Sequence, residues 1–195
     1  MTPRAHNSLD YDVLTKLPTM MYFRRYAAQY ILNAHRFGHT AYFVYINLEN
    51  FSAFNERYGL EEGDKLLSLL SVSIQYAFPV FFLSRFSDDH FLLVCESRHI
   101  ERCIEDIHEE IRSLGRHANL MLKAGIYRID DATLDIGVIC DRAKAACDSI
   151  AHRYDKVYRW FDDALLKEMD RNQYIESHIE RAISHNWIKV YYQPI

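Results

Sequence analysis

The 195-residue sequence predicts an α+β domain: a mixed central sheet of about five strands covered by helices, with a β-hairpin at its middle. Three observations carry this. Apolar stretches with helical spacing alternate with short β-branched and aromatic runs, the pattern of a sheet covered by helices. The run Ala41–Leu48 is apolar on both faces, as a doubly covered central strand requires. The stretch Leu83–Val94 reads as two short apolar strands joined by the polar turn Ser87-Asp88-Asp89-His90, an antiparallel pair set among helices.

Taken in order, Leu9–Leu17 is a lead-in ending at Pro18, and Thr19 is placed to cap a helix from Met20 to Phe37, closed by Gly38. After the strand Ala41–Leu48, Asn50–Tyr58 is a short helical turn broken by Gly59. The next helix starts near Glu61, carries Leu66, Leu67, Leu70, Ile74 and Ala77 on one face, and stops at Pro79. The hairpin pairs Val80–Arg85 with His90–Glu96. An amphipathic helix follows with Ile100, Cys103, Ile104, Ile107, Ile111 and Leu114 inward, ended by Gly115. Asn119–Ile129 is a strand, Asp130-Asp131 its turn, and Leu134–Ala151 a helix with Ile136, Ile139, Cys140, Ala143, Cys147 and Ile150 inward. Lys156–Phe161 alternates as a strand. Residues 162–185 are helical in pattern and Trp187–Tyr192 is strand-like, with a boundary near Asp162–Asp170 where strand gives way to charged helix.

The 23 Lys and Arg against 27 Asp and Glu argue against nonspecific nucleic-acid binding, which needs a basic stripe. The apolar runs are too short to span a bilayer, and Met1-Thr2-Pro3-Arg4-Ala5-His6 lacks an apolar signal core, so a cytoplasmic location is expected. Cys95, Cys103, Cys140 and Cys147 form no C-x-x-C pair and read as reduced core thiols. His35 and His39 stand four apart, but Gly38 lies between them and no third ligand is in register, so they read as surface histidines.

Several segments resemble the GGDEF family, the diguanylate cyclases. Asp12-Val13-Leu14-Thr15-Lys16-Leu17-Pro18 resembles the opening D-x-L-T-G-L-P signature. Asn47-Leu48-Glu49-Asn50-Phe51 stands where the family has D-x-D-x-F, and Asn55 through Asp64 follow its N-D-x-x-G-H-x-x-G-D stretch. Arg85 through Phe91 stand where it has R-x-G-G-D-E-F. Gly125-Ile126 is similar to its S-x-G-[IV] strand, and Cys140-Asp141-x-Ala143 to its A-D-x-A helix. The tail Ile179-Glu180-Arg181-Ala182-Ile183 to Val190-Tyr191-Tyr192-Gln193-Pro194-Ile195 resembles the opening of an EAL domain, the cyclic-di-GMP phosphodiesterase family. The organisation this implies is a lead-in at 1–18, a GGDEF domain at 19–162, and at 163–195 a connecting helix and the first strand of an EAL domain.

The resemblance implies a bacterial signalling module with a nucleotidyl-cyclase-like fold. Active members join two GTP molecules into cyclic di-GMP, one per domain in an antiparallel dimer, with magnesium on carboxylate oxygens. The implied metal positions are Asn47 and Asp89. Asp89 keeps its carboxylate; Asn47 offers an uncharged oxygen, which weakens the cation site. Ser87 and Asp88 replace the two glycines that let phosphates lie against the backbone, and Asp88 adds a like charge there. His90 replaces the family's second acidic residue, while Phe91 is kept. Ser52 replaces a lysine, and an ungapped reading of the later A-K-x-x-G-R-N stretch puts Asp148 at its lysine. The R-x-x-D inhibitory product site is replaced by Phe78-Pro79-Val80-Phe81. Asn55 and Asp64 match the residues that hydrogen-bond guanine; otherwise Asn55 is a helix-turn polar residue and Asp64 an N-cap for the following helix.

The resulting expectation is a degenerate GGDEF domain without catalytic residues, binding guanine nucleotide through Asn55 and Asp64 and regulating an attached EAL phosphodiesterase. GTP and magnesium are its ligands, the magnesium weakly held by Asp89 and Asn47, and a homodimer is its assembly. Two alternatives stand beside it: an active cyclase using the Ser87-Asp88-Asp89-His90-Phe91 motif, and a purely structural dimerisation module.

Overall fold

The structure is a computed structural model and describes residues 10–78, 80–96, 99–114, 119–189 and 191. The chain divides into two compact units, Met1–Phe161 and Asp162–Ile195, at the point where the sequence turns from strand to charged helix.

The first unit is built on five strands: β1 (Ala41–Glu49), β2 (Val80–Ser87), β3 (His90–Cys95), β4 (Met121–Ile129) and β5 (Tyr158–Trp160). Their order is β2-β3-β1-β4-β5. β1 runs antiparallel to both neighbours, β2 is antiparallel to β3, and β5 is parallel to β4, so the sheet is mixed and open. Among its described residues the helices are α1 (Met20–Arg36), α2 (Phe51–Tyr58), α3 (Leu60–Ala77), α4 (Ile100–Leu114) and α5 (Ile136–Asp148).

The apolar character of β1 follows from its place. Successive side chains of a strand point to opposite faces. Val44, Ile46 and Leu48 enter one core with Leu66, Leu67, Leu70 and Ile74 of α3 and Ile100, Ile104, Ile107 and Ile111 of α4. Ala41, Phe43 and Tyr45 enter the other, with Phe23, Ala27, Ile31 and Ala34 of α1 and Ile139, Ala143 and Cys147 of α5. The inward residues on α1, α4 and α5 recur at three- and four-residue spacing, one stripe per helix. Gly125 of β4 is where α5 comes closest to the sheet: a Cβ there would lie 1.8 Å from the Ala143 carbonyl oxygen and 2.4 Å from the Cys147 nitrogen.

Most sequence expectations hold to within a few residues. α3 begins at Leu60, just after Gly59 with its positive φ of 88°, so Asp64 lies a turn inside the helix and does not cap it. Thr19 precedes α1 without a side-chain capping bond. α5 is shorter than expected at both ends; at its start Asp135 accepts from the Gly137 N–H and caps it. β5 shrinks to three residues, the number that pair with β4. Leu114 is 53% exposed rather than inward, since it falls at the last residue of α4. The breakers Pro79 and Gly115 lie outside the described residues.

The second unit contains α6 (Asp163–Ser184), started by Asp162, whose side chain accepts the Leu165 N–H at 2.7 Å. The described part of the strand-like tail, residues 187–189 and 191, forms no strand. Strand structure needs a ladder partner, and alternation alone does not supply one. Among the described residues no helix is long and apolar enough to cross a membrane.

Candidate functional site

Strand pairing assembles the site. Asn47 near the end of β1 sits opposite His90 of β3 on one side and Lys123 of β4 on the other. The next backbone N–H, of Leu48, donates to the Asp89 carbonyl at 3.3 Å. The end of β1 and the hairpin turn are therefore neighbours by register. The chain then leaves β1 at Glu49 and turns into α2 through Asn50, left-handed at φ 66° and tied to the Asn119 carbonyl by its side-chain amide. Asparagine accepts this conformation more readily than most residues. Asn47, Ser52, Asp89 and His90 come together in one open cleft of about 550 Å³, with Glu49 and His152.

The turn itself is cross-linked. His90 Nδ1 lies 3.0 Å from an Asp89 carboxylate oxygen and 3.1 Å from the Ser87 hydroxyl. Arg85 donates through Nε and Nη2 to the Asp88 carbonyl and through Nη1 to both carboxylate oxygens of Asp12. Asp12 also accepts from the Thr15 backbone N–H and hydroxyl, each at 2.7 Å. Burial alone would raise the Asp12 pKa, but the bonds from Thr15 and the Arg85 guanidinium outweigh it and hold the carboxyl below its ordinary value. Neither Ser87 nor Asp88 takes a positive φ, so this turn makes no use of glycine's conformational freedom. Phe91 is fully buried beneath it.

Asn55 and Asp64 are not among the residues lining the cleft; Glu56 of the same helix is. Asp64 is exposed on α3. Asn55 is half-buried, and its Oδ1 is enclosed without a hydrogen-bond partner. That oxygen lies where a Cβ on Gly63 would come within 1.9 Å, so the absence of a side chain at Gly63 is what admits the amide.

A buried cluster beside the cleft escapes sequence reasoning. Lys123 is 1% exposed and donates through Nζ to the carbonyls of Arg153 and Lys156. Desolvation pulls its pKa down, opposed chiefly by the negative charge of Glu49. Glu49 is itself buried; its Oε1 accepts the His152 N–H at 2.8 Å, and its Oε2 has no partner. His152 is left-handed at φ 61°. Together Lys123 and Glu49 hold the chain between α5 and β5 against the sheet. The available signal was a lysine inside the apolar strand Met121-Leu122-Lys123-Ala124-Gly125-Ile126, which demands buried acceptors.

Of the two histidines expected at the surface, His39 is exposed with Nδ1 2.7 Å from Glu96, while His35 is half-buried with Nε2 2.9 Å from the Ile129 carbonyl. All four cysteines are free thiols. Magnesium takes oxygen ligands with at least one or two carboxylates. Here Asn47 is neutral, the Asp89 carboxylate faces His90, and among the described residues no three His, Cys, Asp or Glu side chains are grouped to hold an ion. Toward a cation, Asn47 and Asp89 offer one neutral and one carboxylate oxygen donor.

Fold and site together define a nucleotidyl-cyclase-like α+β domain whose cleft lies between the end of β1 and the central hairpin. The family described as diguanylate cyclase, GGDEF domain, matches residues 9–157, and the chain belongs to it. It is similar to the GGDEF domain of DgcB from Caulobacter crescentus in complex with c-di-GMP, with a TM-score of 0.64 and 18% identity over 81% of this chain and 98% of that one. It is also similar to an S helix-GGDEF-EAL structure of Vibrio cholerae LapD bound to c-di-GMP, with a TM-score of 0.63 and 14% identity over 92% of this chain and 43% of that one. The cyclic di-GMP phosphodiesterase NbdA of Pseudomonas aeruginosa is 23% identical over 98% of this chain, which spans 26% of the relative's length.

Proposed function

We propose that this chain is a regulatory domain of cyclic-di-GMP signalling, degenerate as a cyclase, that acts on an EAL phosphodiesterase domain in the same protein. The observation that carries the reading is the cleft. Phosphoryl transfer between nucleotides rests on positioning and on neutralising phosphate charge. The described lining contains no Lys or Arg, while Glu49, Glu56 and Asp89 are among its residues. Such a cleft repels a triphosphate and leaves its transition state uncompensated.

The regulatory half rests on likeness. The match to the Pseudomonas protein, named a phosphodiesterase, runs through nearly all of this chain and so beyond residue 157, where the GGDEF match ends. The Vibrio relative joins GGDEF to EAL in one structure. Guanine nucleotide is the proposed effector, held on its base edge by the Asn55 amide and the Asp64 carboxylate. The test is the phosphodiesterase rate of the whole protein with and without GTP. A change of rate on GTP that Asn55→Ala with Asp64→Ala abolishes supports the reading. A rate indifferent to GTP and to both substitutions leaves only a structural spacer.

A further inference from the structure

The charge of α1 sets it apart from the other described helices. Its 17 residues contain Arg24, Arg25 and Arg36 and no Asp or Glu, whereas α2, α3, α4, α5 and α6 each carry carboxylates. The chain as a whole has the opposite sign, with a net charge of -4. One face of α1, formed by Phe23, Ala27, Ile31 and Ala34, is buried in the core. Met21, Arg25, Ala28, Leu32 and Arg36 recur at similar spacing on the opposite face and are all exposed. Met21 is 60% exposed, Leu32 38%, and Phe37, just beyond the helix, 78%. Tyr26 and Tyr30 flank this face, both exposed, and the Arg25 guanidinium lies over the Tyr26 ring.

Arginine interleaved with exposed apolar and aromatic side chains, and no carboxylate among them, suits contact with anionic lipid. Alkyl stems and rings settle at headgroup depth while guanidinium groups reach lipid phosphate and carboxylate. Shape favours lipid over an acidic protein segment. A helical or extended peptide needs a groove to receive its apolar anchors. The outward face of α1 is instead a convex stripe ~25 Å long. The hollow at its start, beside Met20 and Met21, offers an acidic segment no free cation, because its Arg85 is already bonded to Asp12 and the Asp88 carbonyl. We propose that the outward face of α1 docks on an anionic lipid surface. Arg25 and Arg36 meet the headgroups, and Met21, Leu32 and Phe37 enter the acyl boundary. Asp10, 3.9 Å from Arg25, offsets part of the charge. The acidic remainder of the chain confines the attraction to about a Debye length, ~8 Å at physiological salt. The proposal does not depend on what the cleft binds.

Cosedimentation of the purified protein with phosphatidylcholine vesicles, with and without phosphatidylserine and in low salt, tests it. Saturable binding to the serine-containing vesicles that phosphatidylcholine alone does not reproduce, and that high salt reverses, supports the proposal. Arg25→Gln combined with Arg36→Gln lowers the partition coefficient about 25-fold, roughly fivefold for each arginine. Phe37→Ser, on exposed surface, lowers it about tenfold without altering charge. It serves as the second variant should the double substitution fail to fold by circular dichroism. The proposal is overturned if the vesicles do not bind, if both kinds bind alike, or if binding is indifferent to both variants. A soluble poly-glutamate peptide that binds with the same arginine dependence, while vesicles do not, assigns the face to an acidic protein segment and also overturns it.

Discussion

Arg85 and Asp12, 73 residues apart, form a two-pronged ion pair: Nη1 lies 3.1 and 3.2 Å from the two carboxylate oxygens, and both side chains are mostly buried. The same guanidinium grips the Asp88 carbonyl, so the lead-in to α1 is strapped to the hairpin turn. Ser84 and Arg85 reinforce the strap by bonding the Pro18 carbonyl. Asp12→Asn therefore costs about 1.5 kcal/mol in urea unfolding at neutral pH, the scale of a charged hydrogen bond. The folded-state pKa of Asp12 lies below the ordinary 3.8, so its contribution is present above about pH 4 and is lost as pH falls through that lower value. The gap between wild type and Asp12→Asn closes in acid.

Lys16 occupies a left-handed turn at φ 59°, where the family signature has glycine. A left-handed non-glycine residue costs about 1–2 kcal/mol, and glycine's extra chain entropy takes back about 0.5–1. Conformational relief wins. Lys16→Gly raises stability by roughly 0.5–1 kcal/mol and the melting temperature by about 2 °C, measurable by calorimetry.

His108 of α4 is buried, with Nδ1 unpartnered. Desolvation lowers its pKa below 6.5, and the opposing pull of Glu109 and of the Leu122 backbone does not restore it. Its neutral form is the one that folds, so stability is full above pH 6.5 and falls as the unfolded chain takes up the proton below it. Unfolding free energy measured from pH 7 to pH 5 drops less steeply for His108→Met than for wild type.

Gly125→Ala destabilises by about 3 kcal/mol or more, because the new methyl meets backbone of α5 that has no rotamer to yield. Denaturant melts check this. The same substitution at Gly63 is milder, since the atom it meets is the end of the Asn55 side chain.

The fold was legible because its signals are periodic. The double-faced run of β1, the inward stripes of α4 and α5 and the polar hairpin turn each fix an element from a dozen residues. What escaped were features that depend on distant parts of the chain. Asp12 and Arg85 were each visible in a motif, but nothing local says that they meet. Lys123 went unremarked in an apolar strand, and its acceptors lie on a loop 30 and 33 residues later. The alternative reading of Asp64 as a cap arose because carboxylates precede helices so often; α3 starts at Leu60, just after Gly59, which leaves Asp64 a turn inside. Asn47, Asp89 and His90 were placed in one site through motif resemblance, and strand register then explains why they are neighbours.

The central claim is that this cleft no longer cyclises GTP. Purified protein, shown folded by circular dichroism, is incubated at high concentration with GTP and magnesium, and the products are separated by chromatography. GTP is expected to remain unconsumed, with no cyclic di-GMP formed. Cyclic di-GMP accumulating with time, and abolished by Asp89→Ala, would contradict it.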